Sequence, residues 1–426
     1  MMNKLYGDGI HDDTAAIQEM LDSGEVLIKL PVPERHYLIS ATLRIHSYQE
    51  LVLSRWSEVR LAPKSNCPML ANSSPDDGNE CIAVRGGIWN FDNVNQAPNP
   101  QKVTDDPELL IPHGKFRKMP VPADYPVDPV DGMRHGVLGE FGDMPYHPDR
   151  YWGNIFQFTN IDRFEMSDVV MKNPVSYAVK CAKLTNFTFN HITFDFNEGN
   201  PSPDNMDGLH FDGFCRNGKI SDLKGTCYDD LIALNAEDGI VDSPGYGPIE
   251  NIEIDGIFSD NCHSIVRMLS CGSRISNISI RNVYGSFYRY AVGFTHFFPE
   301  NPTRGVFDNI VLENLFISKA LPPESDWNGA PDWALVWCEG HGDIGSLRIN
   351  GFHRVEKTTP VPSIEIEQNF TINTLTVTDC SIANHLAEPI VMLRNHGTVS
   401  RLYYDGCRVA AGEVADLENN GKIISK

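Results

Sequence analysis

The chain has 426 residues, with 35 Lys and Arg against 57 Asp and Glu, for a formal net charge of −22. So acidic a protein disfavours nucleic acid and anionic membranes as partners, and no apolar run approaches the roughly 18 residues of a spanning helix. Ten cysteines without a single Cys-x-x-Cys pair argue against a zinc site. The opening Met1-Met2-Asn3-Lys4-Leu5-Tyr6-Gly7 lacks the apolar core of a secretion signal. The chain therefore reads as cytoplasmic, or as one whose signal was removed before this numbering.

The first predicted element is a helix after Gly7-Asp8-Gly9-Ile10-His11-Asp12-Asp13-Thr14. Asp12 or Asp13 can accept hydrogen bonds from free amides at its start, and Ile17, Met20 and Leu21 form one apolar face ending near Gly24. Short strands are expected at Tyr37-Leu38-Ile39, Leu51-Val52-Leu53 and Cys81-Ile82-Ala83-Val84. Residues 95–150 then break the rhythm with ten prolines and the basic cluster His113, Lys115, Arg117 and Lys118. Proline prevents regular strand pairing, so this is a loop insertion, either walling a groove or crossing the surface.

From residue 166 onward one pattern recurs nine times: two apolar residues three apart, with Asn, Asp, Gly or His before the second. The first positions are Met166, Phe189, Ile220, Ile254, Ile280, Leu312, Ile349, Val377 and Tyr404. Before the second apolar residue stand Asp168, His191, Asp222, Gly256, Asn282, Asn314, Gly351, Asp379 and Gly406, types that tolerate left-handed backbone and so can repeat one sharp corner. Gaps of 23 to 37 residues exceed the 8 to 12 or so of sandwich strands, which leaves coils of short strands that bury their apolar faces on one another. The expected fold is all-β, a parallel β-helix solenoid in one domain over 1–426, with a helical cap in 1–30, the insertion 95–150 and main coils at 151–410. Cys380 and Cys407 occupy matching coil positions, which favours reduced residues stacked in the core.

Chemistry-bearing residues gather in three consecutive coils: Asn205-Met206-Asp207-Gly208, Tyr228-Asp229-Asp230-Leu231-Ile232-Ala233 and Cys262-His263-Ser264. Asp207, Asp229 and His263 lie 22 and 34 residues apart, near single coil lengths, so their side chains can line up across neighbouring strands. Grouped carboxylates suit glycosidic cleavage, one protonating the leaving oxygen while others hold and deprotonate water. Asp in a solenoid turn can also do no more than bond backbone amides. Trp327, Trp333 and Trp337, and Phe294, Phe297 and Phe298, are candidate sugar platforms or core, with Trp337 expected to be buried.

These segments resemble the polygalacturonases and related β-helix glycoside hydrolases. Gly7 to Thr14 is similar to the start of many such proteins, and Gly86-Gly87-Ile88 to a segment of their early coils. Asn173-Pro174 with Val175-Ser176-Tyr177 resembles their Asn-Ser-Pro-aromatic coil, Asn205 to Gly208 their Asn-Thr-Asp-Gly, and Asp229 to Ala233 their Asp-Asp-Cys-Ile-Ala. Glu250 through Cys262-His263-Ser264 to Ser270 resembles the coil carrying Gly-His-Gly. The resemblance implies a single-stranded right-handed parallel β-helix and inverting hydrolysis without metal or cofactor. It also implies Asp229 as general acid, Asp207 and Asp230 as activators of water, and His263 as the group that tunes the acid. Asn205 joins them as a substrate-binding candidate.

The chain departs from the family at Cys262 and Ser264, in place of glycines, and at Gly293 and Thr295, where the uronate-binding Arg-x-Lys is missing. Arg267, one coil earlier at the offset of Gly293, is a replacement candidate, as are Arg289 and His296. The expected function is therefore hydrolysis of a plant-type or microbial polysaccharide or oligosaccharide, pectic or not. The alternatives are a β-helix lyase, which needs a Lys or Arg base and often calcium, and a non-catalytic carbohydrate-binding β-helix of the adhesin or tailspike kind.

Overall fold

The computed structural model describes residues 3–99, 110–111, 115–116, 151–197, 199, 205–237, 245–296, 302–323 and 332–425. The insertion 95–150 lies almost wholly outside them, as do its basic cluster's side chains and Trp327, Phe297 and Phe298; one short antiparallel pair, Leu110–Ile111 with Lys115–Phe116, is described there. The chain forms two compact units, Met1–Arg216 with Ile240–Gly245, and Asn217–Gly239 with Tyr246–Lys426.

In the first unit the helix spans Thr14–Leu21 and buries Ala16, Ile17 and Leu21, while Met20 is half-buried. The two acidic residues at its start divide the work. Asp12 accepts the Thr14 amide at 2.8 Å, whereas buried Asp13 turns back to take the amides of Tyr6 at 2.6 Å and Gly7 at 3.1 Å. Asp13 thus ties the leading segment to the helix. A parallel ladder follows, Leu27–Lys29 on Glu50–Val52, then Asn79–Arg85, Phe156–Ser167 and Val179–Asp195.

The second unit has the same construction. One ladder runs through Ile249–Cys262, Arg274–Phe287, Gly305–Lys319, His341–Glu356, Asn369–Asn384 and Thr398–Tyr404. A second runs through Asp230–Asn235, Ser264–Leu269, Val292–Thr295, Val336–Glu339, Ile364–Ile366, Ile390–Asn395 and Val414–Asn419. Such strand-to-strand stacking is the parallel β-helix.

The sequence repeat is the register itself: Ile254 pairs with Ile280, Ile280 with Leu312, Leu312 with Ile349, Ile349 with Val377 and Val377 with Tyr404. All nine corner residues have positive φ, from 52° at Asp222 and Asp379 to 92° at Gly406. Cys380 pairs with Cys407 as free thiols, but only Cys380 is buried and Cys407 is half-buried.

A second row of corners is built from asparagine. Asn217, Asn251, Asn277 and Asn309 hold φ of 57°, 59°, 57° and 52°, and each amide donates to the one before it at 3.1, 2.8 and 2.8 Å. Asn277→Ala is expected to cost about 2 kcal/mol, joining the left-handed penalty of about 1–2 kcal/mol with the lost ladder bonds. Asn277→Gly should recover the backbone part. Urea unfolding midpoints of the two variants test this.

Candidate active site

Asp230 opens one strand and pairs in register with Ser264, which opens the next. The preceding residues, Asp229 and His263, are thereby neighbours, with His263 Nδ1 3.5 Å from Asp229 Oδ1. Asp229 keeps 16% of its side chain exposed, while His263 keeps 3% and Asp230 none. Buried Asp230 is compensated: Arg267 Nε lies 2.8 Å from Oδ2, and Oδ1 accepts from the Ser264 hydroxyl and, at 3.5 Å, from the Tyr290 hydroxyl. Arg267 also donates to Asn235 Oδ1 at 3.3 Å.

Burial pushes the His263 pKa well below its ordinary value, and the charges of Arg289, Arg267 and Lys319 push the same way. The imidazole beside Asp229 is therefore neutral, and the same burial and cations oppose its protonation. Asp229, Asp230 and His263 bring ligand atoms within 4.8 Å of one another, a spacing that can hold a cation. The guanidinium on Asp230 and the cations acting on His263 make the surroundings poor for one.

The strand register puts Arg267 beside Gly293, and Gly293 beside Trp337. A side chain at 293 has no room, since a Cβ there would come within 2.7 Å of the Tyr290 ring. Thr295 is buried and donates to the Met268 carbonyl at 3.3 Å. Aromatic rings occupy this region instead: Tyr290 lies 5.7 Å from Trp337, which lies 5.8 Å from half-buried Trp333. Arg289, whose amide bonds the His263 carbonyl at 3.0 Å, stacks 4.5 Å over the Trp333 ring. Lys319 secures the arrangement by donating to the carbonyls of Tyr288, Arg289 and Trp333. Its burial, with Arg354 next, draws its pKa down to about 7.

His296 packs against His341, ring centroids 3.9 Å apart. Trp337 is buried, as expected. Phe294 is fully buried too, which removes it as a platform; its register partners Met268 and Cys338 belong to the core.

In the first unit, Asn205 adopts φ 57° and Asp207 is 1% exposed. Asp207 is not alone. His210 Nδ1 lies 2.6 Å from its Oδ2, and His210 Nε2 lies 3.4 Å from Asp212 Oδ1. Lys180, in register with His210, places Nζ 3.7 Å from Asp212 Oδ2 and 4.0 Å over the Trp152 ring. Burial opposes a charge on His210, but the bonds to Asp207 and Asp212 outweigh it and raise its pKa. Sequence reasoning missed His210, Asp212, Lys180 and Tyr290, and read Ser264 only as a substitute for a glycine, not as a donor to Asp230. For the first two a signal existed: positions 210 and 212 share one strand face, three and five residues after Asp207.

No family model and no curated relative matches the chain. Among solved structures, the family 28 exopolygalacturonase of Yersinia enterocolitica superposes with a TM-score of 0.56 at 13% identity, covering 98% of this chain and 77% of its own. The surface protein and adhesin PfbA of Streptococcus pneumoniae gives 0.55 at 14%, covering 99% and 98%. This chain has the β-helix fold of the polygalacturonase-like proteins. A hyperthermoactive exopolygalacturonase from Thermotoga maritima gives 0.54 at 14% identity, covering 95% of this β-helix and 89% of its own chain. At these identities the likeness is one of fold.

Proposed function

We propose that this β-helix is an inverting glycoside hydrolase of the polygalacturonase-like type, acting on a plant-type or microbial polysaccharide or oligosaccharide. The observation that carries the reading is Asp229, a reachable carboxyl beside a neutral buried histidine and next to a buried, counter-charged carboxylate. Asp229 protonates the leaving oxygen, His263 adjusts its proton, and Asp207 and Asp230 serve the attacking water. Asn205, Arg267, Arg289 and His296 contribute to holding the sugar.

The sugar at the cleavage point is neutral in this reading. Arg267 spends its charge on Asp230, Arg289 stands 4.5 Å over the Trp333 ring, and Tyr290 fills the place of a side chain at 293. Positions 293 and 295 therefore offer a carboxylate neither the bidentate fork nor the point charge of an Arg-x-Lys pair. The same loss favours a second reading, binding without cleavage, and an adhesin stands among the similar folds.

Product release from neutral and uronic acid polysaccharides and their oligosaccharides tests this, comparing wild type with Asp229→Asn, with and without a chelator. Expected are new reducing ends from a neutral glycan, no ultraviolet absorbance from unsaturated ends, survival under chelation, and loss in the variant. Unsaturated products would make the protein a lyase. Silence with binding retained would make it a binding protein.

A further inference from the structure

The proposed role of Asp207 leaves a buried group unused. His210 is 2% exposed, and its ring stacks on Tyr177 with centroids 4.0 Å apart and planes 22° from parallel. Each of its nitrogens faces a different carboxylate, Asp207 at 2.6 Å and Asp212 at 3.4 Å, with those side chains 1% and 4% exposed. Carboxylates only accept, and a neutral imidazole has one N–H to give; serving both requires the imidazolium. Lys180, 3.7 Å from Asp212 and itself 1% exposed, adds a second positive group beside the two carboxylates. Such a balanced set keeps its geometry, because removing any one member strands a charge.

A second observation points outward from this set. With Oδ2 of Asp207 given to His210, the buried Oδ1 finds no hydrogen-bond partner among the described residues. Buried polar atoms usually find partners, and this oxygen, like Oδ2 of Asp212 in the same set, keeps lone pairs open to a donor; unlike that one it has no cation of the set assigned to it.

We propose that His210 is a positioning residue for the reaction: gripped by Asp212 and Tyr177, it holds Asp207 by Oδ2 so that Oδ1 is presented to the attacking water. This rests on the hydrolase reading above. Asp207 alone could rotate about its side-chain bonds; a fixed partner on one oxygen leaves a single orientation. Among the described residues, the groups facing His210 include Asp207 before its strand, Asp212 on it, and Lys180 and Tyr177 from the neighbouring coil. Cys181 and Cys215 also lie in the field of Asp212, but burial pushes their pKa values up, that of Cys215 to about 12, so they do not titrate near neutrality. The His210 pKa is raised, so the grip is complete at low pH and is lost as pH rises through the folded-state value.

The experiment combines nitrogen NMR of the histidine rings with kinetics of the full chain on whichever glycan it cleaves. In wild type, the His210 ring, assigned by its disappearance in His210→Gln, should carry both protons at pH values where an ordinary histidine has lost one. Asp212→Asn keeps the ring but weakens one partner; its His210 should titrate lower, and the alkaline limb of kcat should move to lower pH with it. His210→Gln should lower kcat by about 10²-fold with KM little changed, as for a misplaced reacting group. A His210 ring that is singly protonated at neutral pH in wild type overturns the proposal. So does an active wild type whose folded variants keep the same kcat and pH profile, while the hydrolase reading stands. A wild type silent on every glycan defeats that reading instead, and the role assigned to His210 falls with it.

Discussion

Asp229→Asn is expected to cut glycosidic hydrolysis by about 10²–10⁴-fold while leaving the unfolding midpoint close to that of wild type. The two halves of that expectation come from the same geometry. Asp229 keeps 16% exposure and faces His263 Nδ1 at 3.5 Å, so the asparagine amide has both solvent and a neutral partner. Asp230→Asn, one residue along, should behave differently. Its carboxylate is fully buried with Arg267 Nε 2.8 Å away, and replacing it leaves a guanidinium short of its counter-charge. Breaking a buried pair costs about 3–5 kcal/mol, and the lower end applies because Arg267 keeps 15% exposure. Activity and stability should therefore fall together in Asp230→Asn and separate in Asp229→Asn. Initial rates on the cleaved glycan, read beside urea unfolding of both variants, decide the matter. An Asp229→Asn variant that folds and retains wild-type turnover would remove Asp229 as the acid.

The coil pattern was legible because it is a local demand repeated nine times. Each corner needs a left-handed residue, and only Asx, Gly and one His, His191, were spent there. The offset equating Arg267 with Gly293 was legible for the same reason, and the two are register partners. What Arg267 does with its charge was not legible, because that depends on Asp230 lying one coil earlier and being fully buried. Nor was the loss of space at Gly293, which comes from the Tyr290 ring folding back over its own strand. The helix start shows the limit on a smaller scale: two adjacent aspartates could each have bonded its free amides, and packing gave Asp12 the Thr14 amide and Asp13 the leading segment. His210 stayed hidden because its one sign, a strand face shared with Asp212, does not say that Asp207 turns back to meet the same ring.

Glu356→Gln is expected to destabilise the second unit by about 3–5 kcal/mol, although it lies far along the chain from Asp229. Arg354 and Glu356 are both fully buried, with Arg354 Nη2 2.7 Å from Glu356 Oε2. Around them nothing is wasted. Arg354 also donates to the carbonyls of Val361 at 2.8 Å and Thr359 at 3.1 Å and to Ser363 Oγ at 3.0 Å, while Glu356 Oε1 takes the amides of Lys357 and Thr358 at 3.0 and 2.7 Å. Exchanging the pair for apolar residues, which rescues many buried ion pairs, should fail here because those backbone groups would lose their partners. Glu356 Oε2 also takes the amide of Lys319 at 3.3 Å. Lys319 in turn holds the carbonyls behind Arg289 and Trp333, so the damage should reach the aromatic group. In Glu356→Gln, Trp333 emission should shift before the main unfolding transition. A variant whose tryptophan emission and unfolding coincide, at the wild-type midpoint, would mean that this network does not support the site.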